Sequence, residues 1–119
     1  MPSRLDRIRS ICLSLPEAVE RETWGHPTFR VRDKIFASCG EEATTIGFKA
    51  HPDELEALLG DDRFERSAYV GRYGWVTMTL PGRVDWDEVD ELIRSSYLLI
   101  APKRLAREVT WTSRWWGPE

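Results

Sequence analysis

Apolar residues recur at helical spacing in several stretches of the chain, and each stretch carries a start or stop signal. Ser3 and Asp6 have the spacing of a capping box, and the apolar positions behind them predict a helix that ends at Pro16. Further helices are predicted at 52–59 before Gly60, at 85–101 before Pro102, and at 103–107. The chain therefore has two long amphipathic helices, one near each end.

Between these helices the pattern changes to a period of two, which is typical of half-buried strands. The predicted strands are 28–32, 35–39, 44–49 and 75–80. The first three form a meander with turns at 33–34 and 40–42. Residues 17–20 are predicted to form a short extra turn, and residues 61–74 to be irregular with one short strand at most.

This order of elements predicts an α+β two-layer sandwich, with an antiparallel sheet and helices packed on one face. The other face of the sheet is expected to be partly uncovered, which makes it a place for a binding surface. Residues 1–109 form the single predicted domain. Residues 110–119 form a tail with Trp111, Trp115 and Trp116, which are expected to pack over a groove or into a second protomer. A monomer or a weak dimer is expected.

The composition excludes several classes of protein. The chain has 119 residues, of which 41% are hydrophobic and 31% charged, as in one folded domain. It has neither an apolar run of about 18 residues to cross a bilayer nor a secretory signal, so we expect a cytoplasmic protein without a membrane partner. The net charge of −3 gives no support for binding to nucleic acid, although a local basic patch stays open.

Candidate catalytic residues are scarce. Cys12 and Cys39 have no CxxC or Cys/His companion spacing, so free buried thiols are expected ahead of a disulfide or a metal site. His26 and His51 are the only histidines, and the chain lacks G-x-S-x-G and H-E-x-x-H. We therefore expect no enzymatic activity and no cofactor.

The segment 85–91 holds five carboxylates, which invites comparison with a cation site. Helix capping explains Asp85 and Glu88, and acidic residues in a first turn suit the helix dipole. The spacing of an EF-hand is absent. We therefore favour a solvated helix start over a metal site, and metal binding here is the third function hypothesis.

Three segments resemble the MmcQ/YjbR family of small bacterial proteins. They are the run W-G-x-P-x-F-R-V-x-x-K-x-F from Trp24 to Phe36, a tryptophan that enters the later strand (Trp75), and Ser96-Tyr97 followed by a basic helix with Lys103. The similarity spans roughly residues 8–109. It implies a frataxin-like (CyaY-like) arrangement of helices on an antiparallel sheet, and it carries over no catalytic residue.

The family is commonly labelled DNA-binding from a supposed double-wing shape, so the resemblance implies DNA as the partner. In this chain the wings are the hairpin turned at 33–34 and the loop 71–74. Phosphate contacts need exposed, convergent cations. The candidates are Arg30, Arg32, Lys34, Lys49, Arg72, Lys103 and Arg104. The simpler alternative is that they form the solvated face of an amphipathic hairpin.

A second hypothesis is a module that binds a small ligand or a protein in an aromatic groove. The candidate residues are Trp24, His26, Tyr73, Trp75 and Tyr97. Under the DNA hypothesis, exposed Trp24, Tyr73 or Trp75 can stack on bases. The alternative for the first of these is a structural turn, in which Trp24 packs in the core and Gly25 supplies the backbone geometry.

Overall fold

The computed structural model describes residues 3–23, 25–68 and 73–109, with Glu41 described in its backbone alone. The helices are α1 (Arg4–Leu13), α2 (Leu55–Leu59), α3 (Trp86–Ile100) and α4 (Lys103–Ala106). The strands are β1 (Val19–Thr23), β2 (His26–Val31), β3 (Lys34–Cys39), β4 (Thr45–Lys49), β5 (Phe64–Arg66) and β6 (Trp75–Thr79). A 3₁₀ turn, Glu41–Ala43, joins β3 to β4.

The two long helices begin where their capping residues predict. The Ser3 side chain accepts a hydrogen bond from the Asp6 amide while the Asp6 carboxylate accepts one from the Ser3 amide, which is the predicted capping box. At α3 the Asp85 carboxylate accepts from the amides of Asp87 and Glu88. Helix α1 ends at Leu13, before the predicted stop at Pro16, because Ser14 closes its last turn.

Six strands form one sheet in the order β1-β2-β3-β4-β6-β5, and every neighbouring pair is antiparallel. Helices α1 and α3 send their buried residues into the core on one side of this sheet. The predicted α+β fold with helices on one face is therefore confirmed. No helix among residues 3–23, 25–68 and 73–109 is long and apolar enough to cross a membrane.

A β-bulge shapes the centre of the core. Phe29 pairs with Ala37 but Arg30 pairs with Ile35, so Phe36 is an extra residue on β3. Consequently the adjacent residues Phe36 and Ala37 are both buried. The Phe36 ring meets Tyr97 of α3 edge to face, with centroids 5.2 Å apart.

Ser96 of α3 joins the helix layer to the sheet beside this bulge. Its hydroxyl donates to the Phe36 carbonyl at 2.7 Å and accepts from the Lys49 amide at 2.9 Å. Ala37 and Phe48 are the last paired residues of β3 and β4 at this end of the two strands. The buried hydroxyl thus satisfies two backbone groups where the strands stop pairing.

Two local predictions were wrong. Residues 17–20 do not form an extra helical turn, because the chain enters edge strand β1 at Val19 and pairs with β2. The hairpin turn lies at Arg32 and Asp33, one residue earlier than predicted. Both residues have positive φ, 50° and 66°, as the right-handed twist of a tight two-residue hairpin demands.

Candidate functional site on the helix-free face of the sheet

The face of the sheet opposite the helices carries a groove of about 780 Å³. Directly paired residues share a face in an antiparallel sheet, and the row Thr28, Ser38, Gly47 and Thr77 crosses four strands on this side. These small side chains form the groove floor. The wider lining is rich in hydroxyls, from Thr23, Thr28, Ser38, Thr45, Ser67 and Thr77, and includes Ile35 and Trp75.

The hydroxyls reach the groove because the strands alternate. In β6 the side chains of Val76 and Met78 are buried, whereas Trp75 and Thr77 line the groove. In β4 the buried residues are Ile46 and Phe48, so Gly47 between them faces the groove. Its missing side chain leaves room at the centre of the floor, because a Cβ there would lie 2.7 Å from the Ser38 hydroxyl.

Arg30 is the cation held most firmly on this face. Its side chain is half-buried, and it donates from Nη2 to Thr23 Oγ1 at 2.9 Å and from Nε to Thr28 Oγ1 at 3.3 Å. Within the described part of the chain it forms no ion pair with a carboxylate. A guanidinium has five N–H donors, so an oriented positive group keeps donors for a ligand.

The register places two further cations on the same face. Arg21 pairs with Thr28, and Lys49 pairs with Trp75. The one carboxylate that the described register places there is Glu65, at the far edge of the sheet opposite Thr77. Arg21 forms an exposed ion pair with Asp33 of the hairpin turn at 3.8 Å, so the positive charge on this face comes from Arg30 and Lys49, although the chain as a whole carries −3.

The aromatic residues predicted to form one groove are separated by the sheet. Trp75 and His26 line the groove, whereas Tyr73 is exposed just before β6 and lies outside the lining. Tyr97 is fully buried on the helix side, where its hydroxyl donates to the Pro16 carbonyl at 2.7 Å. The prediction that Tyr97 lines an aromatic groove was wrong, because the face of α3 that carries Tyr97 packs on the core. Trp24 lies outside the described residues.

The cations of the predicted hairpin wing are less available than Arg30. Arg32 donates to both carboxylate oxygens of Glu17, at 2.6 and 3.1 Å, and Arg104 lies 3.9 Å from the same carboxylate. This fork lowers the pKa of Glu17 and keeps it charged. Lys34 and Lys103 are exposed. Of the second wing, loop 71–74, residues 71 and 72 lie outside the described residues, Arg72 included.

A second cavity of about 600 Å³ adjoins the groove beside the start of α1. It shares His26, Cys39 and Gly40 with the groove. Its one arginine, Arg4, donates to the backbone carbonyls of Leu80 and Gly82, so that cation is already bound. The arginine of the second cavity thus already has carbonyl partners, whereas Arg30, which lies beside the groove, donates to two hydroxyls.

The two cysteines are free and buried, as predicted. Burial raises the pKa of Cys12 well above its usual value and raises the pKa of Cys39 to about 11. A protonated thiol is a poor nucleophile. Cys39 therefore contributes packing at the groove edge rather than reactivity.

The acidic start of α3 is occupied by helix capping and ion pairs. Asp85 caps the helix, and Asp90 accepts from Arg94 at 2.6 Å. Arg63 bridges Glu88 and Asp61, with its nitrogens 2.8 Å from a carboxylate oxygen of each. Among the described residues no group of three or more histidine, cysteine or acidic side chains is arranged to hold a metal ion.

Sequence reasoning missed the hydroxyl side chains. They occupy outward positions of strands whose inward positions are apolar, as in T28-x-R30, T45-x-G47-x-K49 and W75-x-T77-x-T79. Charged residues are more usual at such positions on a solvated face. The recurrence of Thr and Gly there was the feature of the sequence that could have indicated the groove.

The YjbR family model matches residues 13–99. The crystal structure of Deinococcus radiodurans protein DR2400, with the family-model domain DUF419, is similar to this chain with a TM-score of 0.75 and 25% identity, over 89% of this chain and 87% of that one. No curated protein matches. Because the family model covers most of the domain, this chain belongs to the YjbR family.

Proposed function

We propose that this protein is a non-enzymatic binding module that takes single-stranded nucleic acid on the helix-free face of its sheet. Phosphate binds Arg30, with Lys49 nearby, and a base stacks on Trp75. The observation that carries the proposal is the half-buried Arg30 guanidinium, which the hydroxyls of Thr23 and Thr28 orient and no described carboxylate neutralises.

The charge distribution favours this face over the hairpin wing. Glu17 already forms a fork with Arg32, so a phosphate there must compete with a bound carboxylate. Arg30 lies beside the groove and has no carboxylate partner among the described residues, and a half-buried cation without such a partner attracts anions more strongly than an exposed one. The excess of Arg30 and Lys49 over Glu65 supports the same face, where Arg21 is already paired with Asp33.

The dimensions favour a single strand. A groove of about 780 Å³ has the size of a small-molecule site, so it accommodates one or two nucleotides. Duplex binding needs a wide basic surface, which a chain of net charge −3 supplies poorly. A mononucleotide is the second candidate, since it offers the same phosphate and ring to the same groove.

Fluorescence anisotropy of a labelled single-stranded oligonucleotide, titrated at several salt concentrations, tests this proposal. Arg30→Gln is expected to weaken binding by roughly 10- to 100-fold, the usual effect of losing a charge-assisted contact, and to lower the salt slope by about one. Duplex and mononucleotide competitors show which form of the ligand the groove prefers.

Lys34→Gln is the matched control, because it removes one positive charge from the exposed hairpin beside the groove. We expect it to change affinity by less than about twofold, as for an exposed charge. Loss of binding in Lys34→Gln with unchanged binding in Arg30→Gln would move the interface to the wing. Absence of binding at low salt by the wild-type protein would contradict nucleic-acid binding altogether.

A further inference from the structure

Two cations flank the groove on different strands of the sheet. Arg30 lies on β2 and Lys49 lies on β4, with β3 between them. Neither side chain is part of the groove lining, and neither forms an ion pair within residues 3–23, 25–68 and 73–109. Neighbouring strands are about 4.8 Å apart, so the strands that carry the two cations are about 10 Å apart.

The two side chains also point away from each other. The Arg30 guanidinium donates to Thr23 Oγ1 on edge strand β1, so it turns away from β4. The stem of Lys49 passes Gly74, which precedes β6, since a Cβ at Gly74 would lie 3.9 Å from both Cγ and Cε of Lys49. Lys49 therefore leans toward β6. Consequently the two cations are placed for two different phosphates.

Lys49 and Trp75 match the parts of one nucleotide. They are directly paired across β4 and β6, so their Cβ atoms are about 5 Å apart on the same face. In a nucleotide a single sugar joins the phosphate to the base, so a phosphate on Lys49 leaves its own base beside Trp75 for stacking. Arg30 lies three strand spacings from Trp75, about 14 Å. A phosphate on Arg30 therefore belongs to a different nucleotide.

The groove floor suits a nucleic-acid strand that crosses the β-strands. The small floor residues Thr28, Ser38, Gly47 and Thr77 lie opposite one another across four strands.

Both cations and Trp75 lie on the same side of this floor. Each is two residues from the floor residue of its own strand, and the direction is the same because β2 and β4 run parallel to each other and antiparallel to β6. A phosphate backbone along that side places its bases over the floor. In RNA-binding modules a four-stranded sheet holds about two or three bases in this way.

We propose, on the basis of the function proposed above, that the ligand is an oligonucleotide that crosses the β-strands and that a mononucleotide is too short to make all the contacts. One nucleotide occupies Lys49 and Trp75. The phosphate of another nucleotide in the same strand binds Arg30, and the bases between these two points lie over the groove floor.

The test compares uridine monophosphate with oligo-uridine in amide chemical-shift titrations, which measure weak as well as tight binding. Arg30→Gln is expected to weaken oligo-uridine by roughly 10- to 100-fold, the effect of a lost charge-assisted contact, and uridine monophosphate by less than about twofold. Trp75→Ala removes the stacking platform for both ligands and is expected to weaken both by about tenfold. Circular dichroism checks that each variant is folded.

A double variant tests whether the two cations hold separate phosphates. The loss of oligo-uridine affinity in Arg30→Gln/Lys49→Gln is expected to equal the product of the two single losses, because distant and independent sites add in free energy. This comparison also decides the matter if uridine monophosphate binds too weakly to measure. Lys34→Gln, an exposed cation of the hairpin, is the matched control and is expected to change either affinity by less than about twofold.

The outcomes separate this inference from the function on which it rests. Equal weakening of the two ligands by Arg30→Gln would place Arg30 and Trp75 on one nucleotide and overturn the oligonucleotide assignment. A loss in the double variant no larger than the greater single loss would overturn it as well. Either result leaves nucleotide binding standing, whereas failure of both ligands to bind the wild-type protein would overturn the two proposals together.

Discussion

The two faces of the sheet are built from alternate residues of the same strands but have opposite characters. On the helix side Phe36, Phe48 and Val76 are almost completely buried, and the hydroxyl of Ser96 is hydrogen-bonded. On the other side small hydroxyl residues line the groove with Trp75, and Arg30 donates to two of them; the hydroxyls of Ser38 and Thr45 have no hydrogen-bond partner among the described residues. Core packing accounts for these side chains on the helix side, whereas the helix-free side carries polar groups that core packing does not require.

Because the two faces differ in this way, we expect one face to determine the stability of the fold and the other to determine ligand binding. Apolar burial stabilises a fold in proportion to the area removed from water, so substitutions on the helix side are expected to act on the free energy of unfolding. Substitutions on the helix-free face remove little buried area and are expected to act on ligand affinity. Paired substitutions at neighbouring positions test this separation directly.

The largest expected effect is on the free energy of unfolding of Phe36→Ala. The ring is fully buried against Tyr97, so its removal leaves a cavity and is expected to cost about 3–5 kcal/mol. Ile35→Ala changes the adjacent residue on the other face, where the side chain is half-buried, and is expected to cost about 1 kcal/mol. Urea denaturation measures both, and equal losses would contradict the separation of the faces.

The next effect in size concerns Ser96, whose hydroxyl satisfies the Phe36 carbonyl and the Lys49 amide. Ser96→Ala leaves two backbone groups unpaired and is expected to lower the free energy of unfolding by about 1–3 kcal/mol. Ser95→Ala, one position earlier and half-buried, is the control and is expected to change it by less than about 0.5 kcal/mol. Indistinguishable urea midpoints for the two variants would contradict this role.

The smallest effect is a pH dependence away from both faces. Hydrogen bonds from Arg63 lower the pKa of Asp61 from 3.8 to about 2. Because the folded pKa is the lower one, this carboxylate stabilises the fold fully above pH 3.8, and the contribution is lost as the pH falls through about 2. Asp61→Asn should therefore be less stable than wild type at neutral pH.

The difference between Asp61→Asn and wild type should shrink as the pH approaches 2. Urea denaturation at a series of pH values measures it, with Asp62→Asn, at the exposed neighbouring position, as control. A stability difference that stays constant between pH 7 and pH 2 would show that the Arg63 contact does not act through the charge of Asp61.

The sequence predicted the helices and the central strands well, because periodicity and capping determine them locally. It failed at β1, whose sequence VERET has one apolar residue in five positions and owes its strand conformation to pairing with β2. The alternation of Arg30 and Arg32 also led to the wrong prediction that the two arginines share one strand face. Arg32 has positive φ in the turn, where Glu17 forms an ion pair with it, so the two arginines differ in environment.

The site was harder to predict than the fold because it depends on which residues are neighbours across strands. His26 and Trp75 were expected to share a groove and do line one, but Tyr97 faces the core. The hydroxyls of Ser38 and Thr45, which have no hydrogen-bond partner among the described residues, occupy space left by glycines of adjacent segments. No periodicity along the chain reports such pairs before the strand register is known.

We propose that the helix-free face, rather than the hairpin wing, is the binding surface. An amide chemical-shift titration of ¹⁵N-labelled protein with unlabelled oligo-uridine distinguishes the two surfaces. We expect the largest changes along the groove floor, at Thr28, Ser38, Gly47 and Thr77. Changes confined to Lys34 and α4, or to the helix side of the sheet, would contradict the claim.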